Sequence, residues 1–525
     1  MGASWSRAVT ANCWSPRDAT GGSTHDRKPK MPRLRSETRS HRRINDAICS
    51  PAHIAKCDRM DRMLSKVFKA YDVRATCPDP LSESVAFRIG YGTAKFLLGQ
   101  GEIDALPEVS RRLIAVGHDM RLTSPAMVTA LQNGMRAAGA DVLDVGLVDT
   151  PFVPFAVNHA QCIGGVQTTA SHNPANYNGF KISKMFGKPV GEQTGLIEIR
   201  EIAEAAADSG EPIGSRTEVD LWEAYRAHVH PMLSDGLRDG TEKIRVAIDA
   251  SNGMAGTMVP KVFGDVPGIE IIEINFENSS GTFVHEPNPL VEANLAQVRK
   301  ATVDEGCQVG ICFDGDADRC MVVDEGGEII GCDLITGWLG QRFLRAAGGG
   351  SVVFDLRSSH SLAEMVREAG GEPVMGRVGH VFMKQAMAEH NAVFGGELSG
   401  HFYFAENFNA DSGAMAFAAI CSAVLDDGRP LSEIIAGAKR YCQSGEINFE
   451  VDDKTAAMER LVDAFPDAEI LRLDGVTVDL GNWWCNVRPS NTEPLLRLNL
   501  EAGSEREVAE HLAEVAPLLG TQVAH

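Results

Sequence analysis

Two short segments about 140 residues apart carry side chains that could do chemistry together. One is Thr169-Ala170-Ser171-His172-Asn173-Pro174, a serine hydroxyl on a tight polar turn. The other is Asp314-Gly315-Asp316-Ala317-Asp318-Arg319, three carboxylates at alternate positions followed by a guanidinium. Alternate side chains of an extended or looped backbone point the same way. Carboxylates so aimed repel one another unless a hard divalent cation sits among them, and three of them leave coordination positions open. An oxygen carried on Ser171 could fill one. The pair reads as a metal-assisted phosphoserine site, and the chemistry it suggests is phosphoryl transfer. Each segment alone has a plainer reading: Asn-Pro after Ser-His is a turn signal, and alternating Asp and Gly occurs in calcium loops. The helical calcium-hand pattern wants Gly at its sixth position. Here that position is Arg319, and Val309-Gly310-Ile311-Cys312-Phe313 ahead of it is an apolar strand, not an amphipathic helix.

Three further segments follow the same order along the chain: Phe68-Lys69-Ala70-Tyr71-Asp72-Val73-Arg74, Gly396-Glu397-Leu398-Ser399-Gly400-His401, and Arg488-Pro489-Ser490-Asn491-Thr492-Glu493-Pro494. With the first two they resemble the α-D-phosphohexomutases, the family of phosphomannomutase, phosphoglucomutase and phosphoglucosamine mutase. The resemblance runs over roughly residues 64 to 525. It implies that Ser171 is the phosphocarrier, with His172, Lys181 and Arg74 around it. It implies Mg²⁺ on Asp314, Asp316 and Asp318, with an oxygen on Ser171 completing the set. Tyr71, Arg319 and His380 would face substrate, Glu397 and Ser399 the sugar hydroxyls with His401 beside them, and Arg488, Ser490, Asn491 and Thr492 the far phosphate. Asp411 and Arg357 are weaker candidates. The implied reaction interconverts the 1- and 6-phosphates of a hexose through a hexose 1,6-bisphosphate. Leu398 points to the phosphomannomutase/phosphoglucomutase branch, with phosphoglucosamine mutase as the alternative. A sugar-phosphate phosphatase and a non-catalytic binder are readings from other classes. The chain departs from the family's pattern at Ala317 and Ala75, where glycine is usual. At Ala75 this puts the backbone geometry in question, because alanine resists positive φ.

Composition fits a large enzyme. The chain has 525 residues and a net charge of −21, which argues against nucleic acid and requires any phosphate site to be built from local cations. Its twelve cysteines include no Cys-x-x-Cys pair and read as reduced thiols of a cytoplasmic protein. The longest apolar run, Ala414 to Leu425, is too short to span a bilayer. Residues 1–63 hold 13 Lys+Arg against 6 Asp+Glu and show no apolar period, so they are expected to be a disordered basic extension. Met1-Gly2 with Ser6 formally fits an acylation pattern, and translation from Met60 or Met63 is another reading.

Apolar strands run into Asp-bearing turns three times: Leu113–Val116 into Asp119, Ile244–Ile248 into Asp249, and Val352–Phe354 into Asp355. Each is followed by a helical pattern and a second strand, the unit that builds mostly parallel sheets. The expected fold is α/β: three similar domains with mixed, mostly parallel sheets over 64–217, 218–328 and 329–440, and a C-terminal α+β domain over 441–525, around a central cleft. A monomer or small homo-oligomer acting on hexose phosphates, with no membrane partner, is the corresponding expectation.

Overall fold

The computed structural model describes residues 63–490 and 495–523. The expectation of a disordered N-terminal extension falls, but for Met63, outside these residues, as do Asn491 and Thr492.

Each repeated unit forms a sheet of the same strand order. Leu113–His118, Ile244–Asp249 and Ser351–Asp355 are central. On one side of each runs a parallel strand, Asp141–Leu147, Ile269–Ile274 or Glu372–Gly376. On the other side runs another, Gly164–Thr168, Val309–Phe313 or Phe394–Gly396. A fourth strand folds back antiparallel on this last one: Tyr177–Lys184, Cys320–Asp324 or Phe402–Phe404. The loop of that final hairpin holds TASHNP in the first domain, DGDADR in the second and ELSGH in the third. Three motifs of different chemistry therefore occupy one topological position.

The Asp-bearing turns also repeat in detail. Asp119, Asp249 and Asp355 each accept the backbone N–H two residues on, at 3.1, 2.8 and 2.9 Å. Such local carboxylate bonds fix a turn directly after a strand.

Helices cover the sheets because their apolar faces have nowhere else to go. In the first domain, helix Glu83–Leu98 starts at Ser82, whose hydroxyl accepts the Val85 N–H, and lies against helix Ser124–Ala137. The two touch backbone to backbone: a methyl on Gly90 would sit 2.0 Å from the Leu131 carbonyl oxygen, and one on Gly134 1.9 Å from that of Phe87. In the third domain the Ala414–Leu425 run forms the interior of helix Gly413–Asp427, capped by Ser412 and buried along most of its length. It is a core helix, and among the described residues no helix is long and apolar enough to cross a membrane.

The C-terminal domain is an antiparallel sheet. Val476–Asp479 and Trp483–Pro489 pair around Gly481, which takes a positive φ of 83°, and Leu495–Ala502 pairs with the second of them. Helices Lys454–Ala464 and Glu505–Leu519 share its core through Leu461, Val515 and Leu519, packed with Phe449, Val478, Val487 and Leu498. Three α/β domains and a smaller α+β one match the expected fold class.

Candidate active site

The three hairpin loops converge on one cleft of about 770 Å³. Eight Lys or Arg side chains line it against two carboxylates, Asp72 and Glu397, so the cleft is strongly cationic inside an acidic protein. That is the local field an anionic substrate needs.

Ser171 sits at one end. Its backbone adopts φ 51°, the left-handed region that a β-substituted residue enters only under constraint. The constraint is Arg121, whose buried guanidinium donates to the carbonyls of Ser171 (2.8 Å), Asn173 (2.7 Å), Pro174 (2.6 Å) and Tyr177 (3.1 Å) and to Asp119 (3.1 Å). Ser171 Oγ donates to Asp314 Oδ2 at 3.0 Å and lies 3.3 Å from His172 Nδ1. Burial, then Arg319, Arg74 and Lys181, hold His172 well below the usual imidazole range, so its ring is neutral. Arg74 reaches the same loop through Asn173 Oδ1 at 2.8 Å and pairs with Asp72. Ala75 lies in extended strand Val73–Thr76 opposite Asn178, so its missing glycine carries no backbone cost.

Asp314, Asp316 and Asp318 are buried, and one oxygen of each lies within 4.8 Å of the others. Burial and the other two carboxylates push Asp314 well above its ordinary value, while Asp318, despite burial, is held well below it by Lys181, His401 and Arg319. Lys181 Nζ lies 2.7 Å from Asp316 and 2.5 Å from Asp318. Burial lowers its pKa, but these carboxylates outweigh it and keep the ammonium charged. Asp316 Oδ1 is buried with no hydrogen-bond partner. An oxygen-only set with a spare buried lone pair fits a small hard dication. Ala317, between two of these aspartates, is fully buried at φ 58°. The absent glycine matters here, in the metal loop, and not at Ala75.

The loop over residues 396–401 is bound to the loop over residues 314–319. Cys320 N–H donates to Gly400 O at 2.9 Å, and His401 Nε2 lies 3.3 Å from Asp318. Glu397 accepts the Gly379 N–H at 2.7 Å and the Tyr403 hydroxyl at 2.5 Å. Ser399 Oγ and His401 Nδ1 are 2.9 Å apart. His380 follows Gly379 and is neutral, pushed down to about 3 by burial and Lys384. Tyr71 packs edge-on to the His380 ring. At the far end Arg488 and Arg497 from the C-terminal sheet meet Arg357 from the third domain. Lys454 donates to the Ser490 carbonyl at 2.9 Å.

Family models match each domain by description: phosphoglucomutase/phosphomannomutase α/β/α domain I over residues 65–209, domain II over 224–327, domain III over 333–441, and the C-terminal domain over 446–518. The chain belongs to the phosphoglucomutase/phosphomannomutase family. Its Xanthomonas campestris relative, described as phosphohexose mutases, is 39% identical over 87% of this chain and 100% of the relative. A phosphomannomutase of Salmonella montevideo is 33% identical over 86% and 99%. The crystal structure of a family protein from Burkholderia thailandensis superposes with a TM-score of 0.76 at 29% identity, covering 86% of this chain and 96% of that one. The protein is thus an enzyme of the phosphohexomutase type.

The structure brings Tyr71, Arg74, Ser171, His172, Lys181, Arg319, His380, Glu397, Ser399, His401 and Arg488 to one cleft, with the aspartates behind it. Sequence reading missed Arg121, Tyr403, Glu446 and Arg497. Arg121 had a signal: Asp119-Met120-Arg121 and Asp355-Leu356-Arg357 are the same turn in two domains. Arg497 sits between buried Leu496 and Leu498 on a strand, and that alternation alone puts it on the opposite face.

Proposed function

We propose that this enzyme interconverts the 1- and 6-phosphates of glucose and mannose, with Ser171 as phosphocarrier. The observation that carries the reading is the cleft itself. A constrained serine hydroxyl lies against carboxylates at one end, and three guanidiniums meet at the other. A substrate with an anionic group at each end fits that arrangement, and a single-ended phosphatase substrate has no use for it.

In the proposed cycle, the phosphoryl group leaves Ser171 Oγ for the free hydroxyl oxygen of a hexose phosphate. One P–O bond breaks and one forms, giving the 1,6-bisphosphate. The sugar turns end for end, and its other phosphoryl group returns to Ser171. Arg488 and Ser490, with Asn491 and Thr492, grip whichever phosphate is not reacting. Glu397 and Ser399 hold sugar hydroxyls in both orientations, with Tyr403 and Gly379 fixing the carboxylate. Neutral His172, 3.3 Å from Ser171 Oγ, can hold the serine proton, and charged Lys181 can balance phosphoryl oxygens. Arg74 and Arg319 flank the same group. Asp314, Asp316 and Asp318 would hold Mg²⁺, which when bound neutralises phosphoryl charge. Hexose 1,6-bisphosphate is the expected activator, and the cytoplasm the expected compartment.

None of the residues assigned here reads the 2-hydroxyl, so both epimeric substrates should turn over within roughly tenfold, one ordinary hydrogen bond. A coupled assay on glucose 1-phosphate and mannose 1-phosphate, with free phosphate measured in parallel, tests this. Stoichiometric release of free phosphate would make the enzyme a phosphatase. A preference above about a thousandfold would require a dedicated contact at position 2.

A further inference from the structure

Behind the far end of the cleft lies a carboxylate that no step above uses. Glu446 pairs with Arg488 at 2.7 Å and Arg497 at 3.2 Å, and lies 4.0 Å from Arg357. Arg488 and Arg497 face each other on adjacent strands of the C-terminal sheet, whereas Arg357 belongs to the third domain. All three guanidiniums line the cleft, with the carboxylate behind them. Nε of Arg488 and of Arg497 is buried with no hydrogen-bond partner. Burial first, and then Arg357 and Arg497 nearby, lower Arg488 below its ordinary value.

The charges can be counted. Three arginines, less Glu446 and the buried Asp355 that pairs with Arg357 at 2.9 Å, leave a net charge of one. A phosphate monoester carries about −1.5 to −2 near pH 7. The seat therefore falls short of its ligand's charge rather than exceeding it. The shortfall matters because each phosphate of a bisphosphate must leave this seat once per cycle. A seat that held the dianion more tightly would lower KM and slow release together.

We propose that Glu446 sets the charge of the distal phosphate seat, so that a phosphate dianion is held and still let go. The inference rests on the reading of this cluster as the distal phosphate seat. Glu446 touches no substrate; it acts through the arginines.

The test is calorimetric titration of the full chain with inorganic phosphate, without added divalent cation, followed by steady-state kinetics. Glu446→Gln should tighten phosphate binding roughly tenfold, the scale of one nearby charge in a cationic site, and should lower both kcat and KM. Glu446→Ala removes the same charge without adding an amide and should shift binding the same way. Adding Arg497→Gln to Glu446→Gln restores the parent's net charge and should return affinity to within about threefold of the parent. Loss of a mere structural prop could only loosen the seat, so tighter binding separates the two roles. Unchanged or weaker phosphate binding in both Glu446 variants overturns the inference. Arg488→Ala should lose most phosphate binding. If it keeps the parent affinity, the seat itself has been misread and the charge argument falls with it.

Discussion

Replacing Arg121 with methionine should disable the enzyme without touching any residue that meets substrate. The guanidinium uses all five of its N–H donors: four go to carbonyls of the serine loop and one to Asp119. Methionine has similar length and no donor. Four loop carbonyls would lose their charged partner, and Asp119 would keep only its bonds from Ser124 and the backbone. Losing one member of a buried ion pair costs about 3–5 kcal/mol. The orphaned carbonyls could add to that, but loop relaxation and water entry would recover part of it, so ~3–5 kcal/mol is the working figure.

Relaxation is also what harms catalysis. Ser171 keeps its left-handed backbone only while the loop is pinned, and release from such strain is worth about 1–3 kcal/mol. A shift of about 1 Å at the nucleophile costs roughly a hundredfold in rate. Thermal unfolding followed by circular dichroism, alongside kcat on glucose 1-phosphate, reads both effects. If the first domain melts as a unit of about 150 residues, ~3 kcal/mol lowers its transition by roughly 6–12 °C. Arg121→Lys should fall between, since an ammonium cannot span four carbonyls. A methionine variant that melts within about 2 °C of the parent and turns over within about threefold would refute the argument that Arg121 holds the serine in place.

Three further outcomes follow from the same geometry. Ser171→Ala should lose nearly all turnover while calorimetric binding of hexose phosphate stays close to the parent, because in the proposed cycle the hydroxyl carries the phosphoryl group and adds little to ground-state affinity; activity within about tenfold, a barrier change of ~1.4 kcal/mol, would contradict it. Ala317→Gly should stabilise the metal loop by roughly 1 kcal/mol, since glycine adopts φ 58° without strain, and a lower melting temperature would show that the buried methyl packs more than it strains. Asp149 is buried, bonded to the Tyr225 hydroxyl at 2.8 Å and pushed up to about 7 chiefly by burial. A raised carboxyl pKa makes the folded state the tighter proton binder, so this group lowers stability as pH rises from about 4 towards 7 and the cost then levels off; Asp149→Asn should melt higher than the parent at pH 8 but not at pH 4, and equal shifts at both would rule out titration as the cause.

The sequence made the chemistry legible sooner than the scaffold. Ser171, the three aspartates, Glu397 and Arg488 sit in compact segments whose residue types are costly unless they act, so a linear reading finds them. The repeated strand and Asp turn were legible as well, because the apolar run and the turn residue are adjacent in sequence. What was hidden is distributed: Arg121 lies 50 residues from the Ser171 carbonyl it binds, and Tyr403 points back past the turn to Glu397. Glu446 reaches Arg488 across 42 residues. The doubt over the missing glycines fell on Ala75, which is extended, while Ala317 takes the positive φ, because loop dihedrals depend on which residue turns the corner and spacing does not say.

The strand order explains why the motifs meet at all. In each α/β domain the last hairpin folds back beside a strand parallel to the central one, so its loop leaves the sheet at the same end as the Asp turn. Each loop is then tied to its own turn: Arg121 donates to Ser171 O, Ser251 to Phe313 O at 2.7 Å, and Asp355 accepts the Leu398 N–H at 2.8 Å. One repeated joint thus presents three loops, and the chemistry differs only in what each loop carries. In the third domain the arginine of the joint does not close over its loop. Arg357 stays paired with Asp355 and faces the cleft beside Arg488 and Arg497. The arginine that braces the serine in the first domain has its counterpart, two repeats later, in the cationic far end of the cleft.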